Sequence, residues 1–239
     1  MNVPHDLPPR PLAVRLAENA ADLAACRSLR HRRFFGGDGL DADPYDARCR
    51  HLMIEAEGQL VGTLRYTLAP DAAALARTLT AQSYDLSGWR DTGPTLEIGR
   101  FCTASRALDA HVVRAALAGL ARAVDAAGVT RMIGCSSFPG ANPARHVAGL
   151  RLLGQDYARD DGPRALAKAV PLAGAPAPPD RRAALAGLPS LLRSYLGLGA
   201  WVGPEAVIDR RMDTLHVFTC VEVARIPAAR ARALRRLAG

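Results

Sequence analysis

A glutamate and an arginine stand three residues apart in the run Thr95-Leu-Glu-Ile-Gly-Arg-Phe-Cys-Thr103. Leu96, Ile98, Phe101 and Cys102 give that run the pattern of a buried strand, with no proline to interrupt it. A charged side chain in such a strand is costly unless it is paired or faces a cavity. Glu97 and Arg100 therefore read as a positioned acid–base pair: a carboxylate able to take a proton and a guanidinium able to orient it or to grip an anion. The plainer alternative is a buried Glu–Arg ion pair that only sets register. Gly99 between them suggests a bulge or the close approach of another backbone.

Other residues invite chemistry less directly. Asp38, Asp41, Asp43 and Asp46 crowd one loop around Pro44. The loop lacks the Asp-x-Asp-x-Asp-Gly order and closing glutamate of a calcium hand, so no metal is expected there. It reads either as a solvated turn or as a site for a cationic substrate. Cys102 and Cys135 have the right type for nucleophiles, but no histidine is visibly paired with them, and both read as structural thiols. Ser136 and Ser137 end a strand and are read as binding rather than catalytic. His111 and His146 fall on helices and are read as surface residues.

These groups need a scaffold. Residues 1–13 are proline-rich and read as a loose arm. A helix opens at Asn19–Asp22 and runs to about Phe34, with Leu23, Cys26 and Leu29 on its apolar face and Arg27, Arg30, Arg32 and Arg33 on a basic one. Strands at 51–56 and 60–68 meet at Glu57-Gly58, a hairpin signal. A short alanine-rich helix near 71–79 precedes the Glu97 strand. Then come a helix over 109–124, with Asp109 as N-cap and Gly128 as stop, a strand at 129–138, a helix at about 144–153 and a strand at 165–172. A Pro/Ala linker over 173–182 leads to a helix at 188–199, a strand at 214–223 and an arginine-rich helix at 227–237. The order predicts a mixed α/β sheet with crossover helices.

Composition bounds the function. The 239 residues carry 31 Lys plus Arg against 23 Asp plus Glu, a formal charge of +8, and Lys168 is the only lysine. A guanidinium surface suits carboxylates, phosphates or an acidic protein. Aromatic residues are few and not interleaved with basic ones, which argues against nucleic acid. Five scattered cysteines without a CxxC spacing fit a reduced, cytoplasmic protein without structural zinc. The N-terminal segment has no apolar core, so no signal peptide is expected, and no apolar run reaches the length of a membrane span.

The element order resembles the GNAT acyltransferase fold: a mixed central sheet flanked by helices, here with a C-terminal extension. Arg30 with Phe34, Asp43-Pro-Tyr-Asp46, Val61-Gly-Thr-Leu-Arg65 and Glu97-Ile-Gly-Arg-Phe101 resemble the signature set of the acyl-homoserine-lactone synthases and their relatives. Gly134-Cys-Ser-Ser-Phe-Pro-Gly140, the 188–200 segment and Val207-Ile-Asp209 resemble a different branch, the ornithine N-acyltransferases. The resemblance covers about residues 15–235. It implies a GNAT-like core over 14–172, with 173–239 a linker and extension completing the same domain.

What it implies chemically is transfer of a 3-hydroxyacyl chain from acyl carrier protein to the α-amine of ornithine, giving lyso-ornithine lipid. The segment from Thr103 to Asp109 lacks a glycine-rich pyrophosphate loop, in keeping with a carrier-borne phosphopantetheine donor and no bound cofactor. In this reading Glu97 takes the ammonium proton, Arg100 orients it or binds the substrate carboxylate, and a backbone N–H of the Phe101–Cys102 region polarises the carbonyl. Arg30, Phe34, Asp43, Asp46, Arg65, Ser136 and Ser137 are assigned to substrate binding, Asp43 and Asp46 facing the δ-ammonium. Expected partners are acyl carrier protein, ornithine and the inner face of the membrane, which the protein would touch peripherally. The alternatives are acyl-homoserine-lactone synthesis, acylation of another amine, or a non-enzymatic basic module that binds membrane or carrier protein.

Overall fold

The computed structural model describes residues 11–89, 93–105, 109–172 and 176–238. Eight strands form one sheet in the order β1-β2-β3-β4-β5-β8-β7-β6. The chain folds as two compact units, each built from separated stretches. The first comprises residues up to Arg65, Arg100–Arg122 and those from Leu234 on; the second comprises Tyr66–Gly99 and Ala123–Ala233.

In the first unit, β1 (Leu12–Leu16) pairs antiparallel with β2 (Arg50–Ala56), in the register Leu16↔Leu52. β3 (Gln59–Ala69) follows through Glu57 and Gly58, both at positive φ (51° and 75°), as a two-residue hairpin turn demands. Helix α1 (Ala20–Phe34) begins where Asn19 Oδ1 accepts the Asp22 N–H at 2.9 Å. Thr63 donates to the Leu52 carbonyl at 2.9 Å, and its hydroxyl also bonds Cys26 on α1. Strand residues alternate faces, so the neighbouring Gly62 looks the other way. There a Cβ would strike Val112 of α3 (Asp109–Ala126), and one on Gly119 would strike Val14 and Leu52. The β1–β3 layer is thus covered by α1 on one face and α3 on the other, and the Thr63 face also carries Arg65.

The second unit holds α2 (Ala72–Leu75), a 3-10 turn over Thr80–Gln82, the start of β4 (Thr95–Thr103), β5 (Arg131–Pro139), α4 (Val147–Asp156), β6 (Ala169–Pro171), α5 (Arg181–Ala186), α6 (Ser190–Gly197), β7 (Trp201–Asp209) and β8 (Thr214–Glu222). It also contains most of α7 (Ala228–Ala238). β4 and β5 run parallel from Thr95↔Arg131 to Ile98↔Gly134. β5 pairs antiparallel with β8 over nine residues, and β8 with β7. One face buries Tyr84, Ile133, Trp201, Phe218 and Cys220. On the other, Gly149 of α4 lets the helix pack on Phe138 and Leu188.

Several expectations are corrected. Strand β1 begins at Leu12, inside the stretch read as a loose arm, whose residues 1–10 lie outside the described part. The strand expected over 165–172 shrinks to Ala169–Pro171, and the helix near 71–79 to Ala72–Leu75 plus the 3-10 turn. Helix α5 and strands β1 and β7 were not expected. Trp201–Asp209 hid its strand character behind Gly203 and Pro204, which coincide with a register shift between Val202 and Ala206. The close backbone approach expected at Gly99 occurs at Gly134, where a Cβ would collide with the Ile98 carbonyl; nothing lies near a Cβ at Gly99. The left-handed residue is Arg100 itself, at φ 54°. Asp109 opens α3, but the cap expected there borders residues 106–108, outside the described part.

Candidate active site

In the first unit the acidic loop closes on arginines. Arg30 donates through Nε to Asp41 at 2.7 Å and through Nη1 to Asp46 at 2.8 Å, while its Nη2 reaches the Asp41 carbonyl at 2.6 Å. Arg27 adds a bond to Asp46 at 2.9 Å. Arg65 Nη1 is shared between Asp43 and Asp46, each at 2.6 Å. Arg100 meets Asp43 at 3.2 Å and Asp41 at 3.4 Å, its guanidinium 5.7 Å from the centre of the Phe34 ring. Four guanidiniums thus face the carboxylates of Asp41, Asp43 and Asp46. Burial pushes the Asp46 carboxyl up, but hydrogen bonds from Arg30 and Arg65 outweigh it and hold the group well below the usual carboxylate range. Asp43 is lowered in the same way, burial being overcome by Arg65 and then Arg100. His51, buried beside Asp46, is pushed down by burial and stays neutral at physiological pH.

This arrangement alters two readings. Arg30, expected on a basic surface face, is fully buried, because three acceptors on the 41–46 loop pull it inward. Asp46, assigned to a substrate ammonium, already accepts from three arginines, and Asp43 from two. A cationic group could reach Asp46 only by displacing a guanidinium. Arg27 and Asp41 belong to the network although they were not assigned to the site. The alternation of basic and acidic residues across 27–46 was the available signal.

In the second unit Glu97 is buried and accepts backbone N–H bonds from Leu79 at 3.1 Å and Thr80 at 2.5 Å. Its carboxylate thereby holds the start of the 3-10 turn. Glu97 thus bonds backbone N–H groups of its own unit, as Arg100 meets carboxylates of the other. Cys135 is half-buried on the Glu97 side of β5 and also touches the Thr80 hydroxyl. Burial pushes the Cys135 and Cys102 thiols up to about 12, so neither is a thiolate at neutral pH. Ser136 is buried and accepts from the Thr219 hydroxyl at 2.8 Å, whereas Ser137 is exposed. Phe101 is half-buried directly after the left-handed Arg100. All five cysteines are free thiols.

Of the histidines read as surface residues, His111 is exposed, while His146 is half-buried, its Nε2 2.9 Å from the Gly140 carbonyl. Sequence reasoning passed over Tyr84 and His216, buried together in the core of this unit with Tyr84 Oη 3.2 Å from His216 Nδ1. Their separation by 132 residues leaves no local signal.

Residues 29–118 match the acetyltransferase (GNAT) domain family. Two solved structures share the fold over most of the chain: the N-acyl amino acid synthase FeeM from uncultured soil microbes (9% identity, 92% of this chain and 98% of that one, TM-score 0.51) and apo TofI (16% identity, 95% and 99%, TM-score 0.52). The fold is therefore that of the GNAT class. Among curated proteins, the L-ornithine N(alpha)-acyltransferase of Brucella abortus is 32% identical over 90% of this chain and 85% of its own length. That of Rhizobium meliloti is 28% identical over 90% and 81%. The chain belongs to the L-ornithine N(alpha)-acyltransferase family.

Proposed function

We propose that the protein transfers a 3-hydroxyacyl group from acyl carrier protein to the α-amine of ornithine, producing lyso-ornithine lipid. The observation that carries the acceptor is the near full-length similarity to proteins named for that activity. The carrier-protein donor is supported by the guanidinium-rich surface and by the lack of a glycine-rich loop between Thr103 and Asp109.

The reaction needs a neutral amine, a polarised carbonyl and a route for protons. Glu97 keeps lone pairs beyond the two that accept N–H bonds and takes the first proton from the substrate ammonium. A backbone N–H of the Phe101–Cys102 region polarises the thioester carbonyl, and attack on it is direct because the thiols are protonated. Ser137, exposed on β5, is the better placed of the two serines to meet substrate, since Ser136 is buried against Thr219. The guanidiniums of the Arg27–Arg30–Arg65–Arg100 network are of a kind that suits an anionic group such as a carboxylate or the carrier-arm phosphate. Among the described residues no helix is long and apolar enough to cross a membrane; contact with anionic lipid is proposed for α7, whose four arginines are exposed.

Purified protein incubated with 3-hydroxyacyl carrier protein and ornithine should yield N-acylornithine by mass spectrometry. Equal or faster product formation with another amine, or none with ornithine, overturns the acceptor assignment.

A further inference from the structure

Two large apolar side chains stand in water at the end of α1, within the first unit: Phe35 is 48% exposed and Leu40 57%. Phe35 closes the helix, its N–H bonded to the His31 carbonyl at 2.9 Å, and the Asp41 N–H returns to the Arg27 carbonyl at 3.1 Å. Residues 36–40 are thus a short loop pinned at both ends. Gly36 and Gly37 turn it at φ 78° and 65°, and a Cβ on either would meet no atom within 4 Å. The His31 ring lies 5.5 Å from the Phe35 ring and so close to Gly39 that a Cβ there would collide with it. Phe35 and the residue before Leu40 therefore rest on a single support. Around them, Arg32 and Arg33 are exposed on the last helical turn, and Asp38 is the one acid from Arg32 to Leu40.

An exposed apolar patch of this kind marks a contact surface, and its make-up selects the partner. The glycine turn leaves the phenylalanine and leucine without side-chain neighbours at 36 and 37, so a folded partner would need a recess shaped to take them. A fluid interface needs none: apolar side chains sink into the acyl boundary while flanking arginines stay with anionic headgroups. Two guanidiniums against one carboxylate match that charge. Phe34, the residue before, has the Arg100 guanidinium 5.7 Å from its ring centre, so the loop departs directly from the charged network.

We propose that residues 32–40 form a membrane-insertion tip: Phe35 and Leu40 enter the apolar boundary of an anionic bilayer, and Arg32 and Arg33 bind its headgroups. Two side chains are too few to hold the protein on lipid alone; the tip acts on protein that the arginines of α7 bring to the surface. Its use, delivery of a single-chain lipid product into the bilayer instead of water, rests on the acyl-transfer reading above; insertion itself does not.

The test uses the full chain and vesicles of equal parts phosphatidylglycerol and phosphatidylcholine. Phe35→Trp should give blue-shifted fluorescence with vesicles and quenching by brominated acyl chains beyond that of the parent, whose Trp89 and Trp201 set the background. The double variant Phe35→Ser/Leu40→Ser should bind vesicles at least about tenfold more weakly at physiological salt. Without vesicles it should make acylornithine with kcat and carrier KM within about threefold of the parent. Vesicles should speed turnover of the parent and not of the double variant; vesicle binding without faster turnover supports insertion and overturns the delivery role. An unquenched Phe35→Trp protein, or unchanged vesicle affinity in the double variant, overturns the proposal. A raised carrier KM with vesicle binding intact overturns it in favour of carrier docking, and a fall in kcat with vesicle binding intact overturns it in favour of a substrate lid. Strong quenching of Phe35→Trp, in a protein whose parent makes no acylornithine, supports insertion and overturns the acyl-transfer reading alone.

Discussion

Arg30 and Asp46 are both fully buried and joined by a 2.8 Å bond from Nη1 to Oδ1. Without Asp46, Arg30 keeps Asp41 and Arg65 keeps Asp43, but each of these buried guanidiniums loses a carboxylate. Asp46→Asn should therefore destabilise the protein by about 3–5 kcal/mol in denaturant titration, the range for breaking a buried pair. Asp43→Asn, at a carboxylate with two arginine partners and some exposure, should lose less. Near-equal stability of Asp46→Asn and the parent would remove the network from the list of structural elements.

The same carboxylates predict the acid limb of stability. Asp46 and Asp43 sit lower in the folded chain than in the unfolded one. Their contribution is therefore complete above the ordinary carboxylate value, near 4, and falls away as pH drops through the folded values below it. Stability measured from pH 6 down to 2 should decline below about pH 4, and more shallowly in Asp46→Asn. A parent curve that stays flat through this range contradicts the assignment.

Glu97→Gln should reduce acyl transfer by at least about 10²-fold. It should also cost about 1–3 kcal/mol, since an amide NH2 would confront one of the Leu79 and Thr80 N–H donors. Loss of stability with near-full activity would make the residue a cap for the 3-10 turn and nothing more.

The thiols predict a negative. With Cys102 and Cys135 pushed up to about 12 by burial, iodoacetamide at pH 7.5 should leave turnover unchanged, and Cys135→Ala should stay within about threefold of the parent. Rapid inactivation, with a labelled Cys135 peptide, would reinstate a covalent route.

Helix α7 exposes Arg230, Arg232, Arg235 and Arg236, and Leu237 is 58% exposed at its end. Replacing the four arginines by glutamine should abolish binding to anionic liposomes at low salt while leaving KM for acyl carrier protein unchanged. A raised carrier KM with intact liposome binding would move the helix to carrier docking; no change in either would leave it a solvated end.

What the sequence made legible followed local rules. The Asn19 cap, the Glu57-Gly58 hairpin and the β4–α3–β5 succession are each written within a few residues. The partners of the charges were not. Arg65 finds Asp43 across 22 residues of chain and Glu97 finds Thr80 across 17, and tertiary placement alone decides such pairings. Arg30 shows the physical reason: helix periodicity put it on a polar face, but acceptors supplied by a later loop made burial favourable. Glu97 and Arg100 were visible as charges out of place, yet whether they served each other or separate anchors was a question of geometry.

The two compact units are braided along the chain, which passes from one to the other at 65/66, 99/100, 122/123 and 233/234. Beyond residue 173 the polypeptide supplies β7 and β8, and β8 covers β5 over its whole length. A fragment ending at residue 172 would leave β5 with a nine-residue open edge, a template for aggregation. For the gene this means that crossover anywhere between codons 66 and 233 gives each unit two parents, so the heritable block is the entire reading frame, and swapping acceptor or donor preference between homologues by exchanging halves should produce insoluble chimeras.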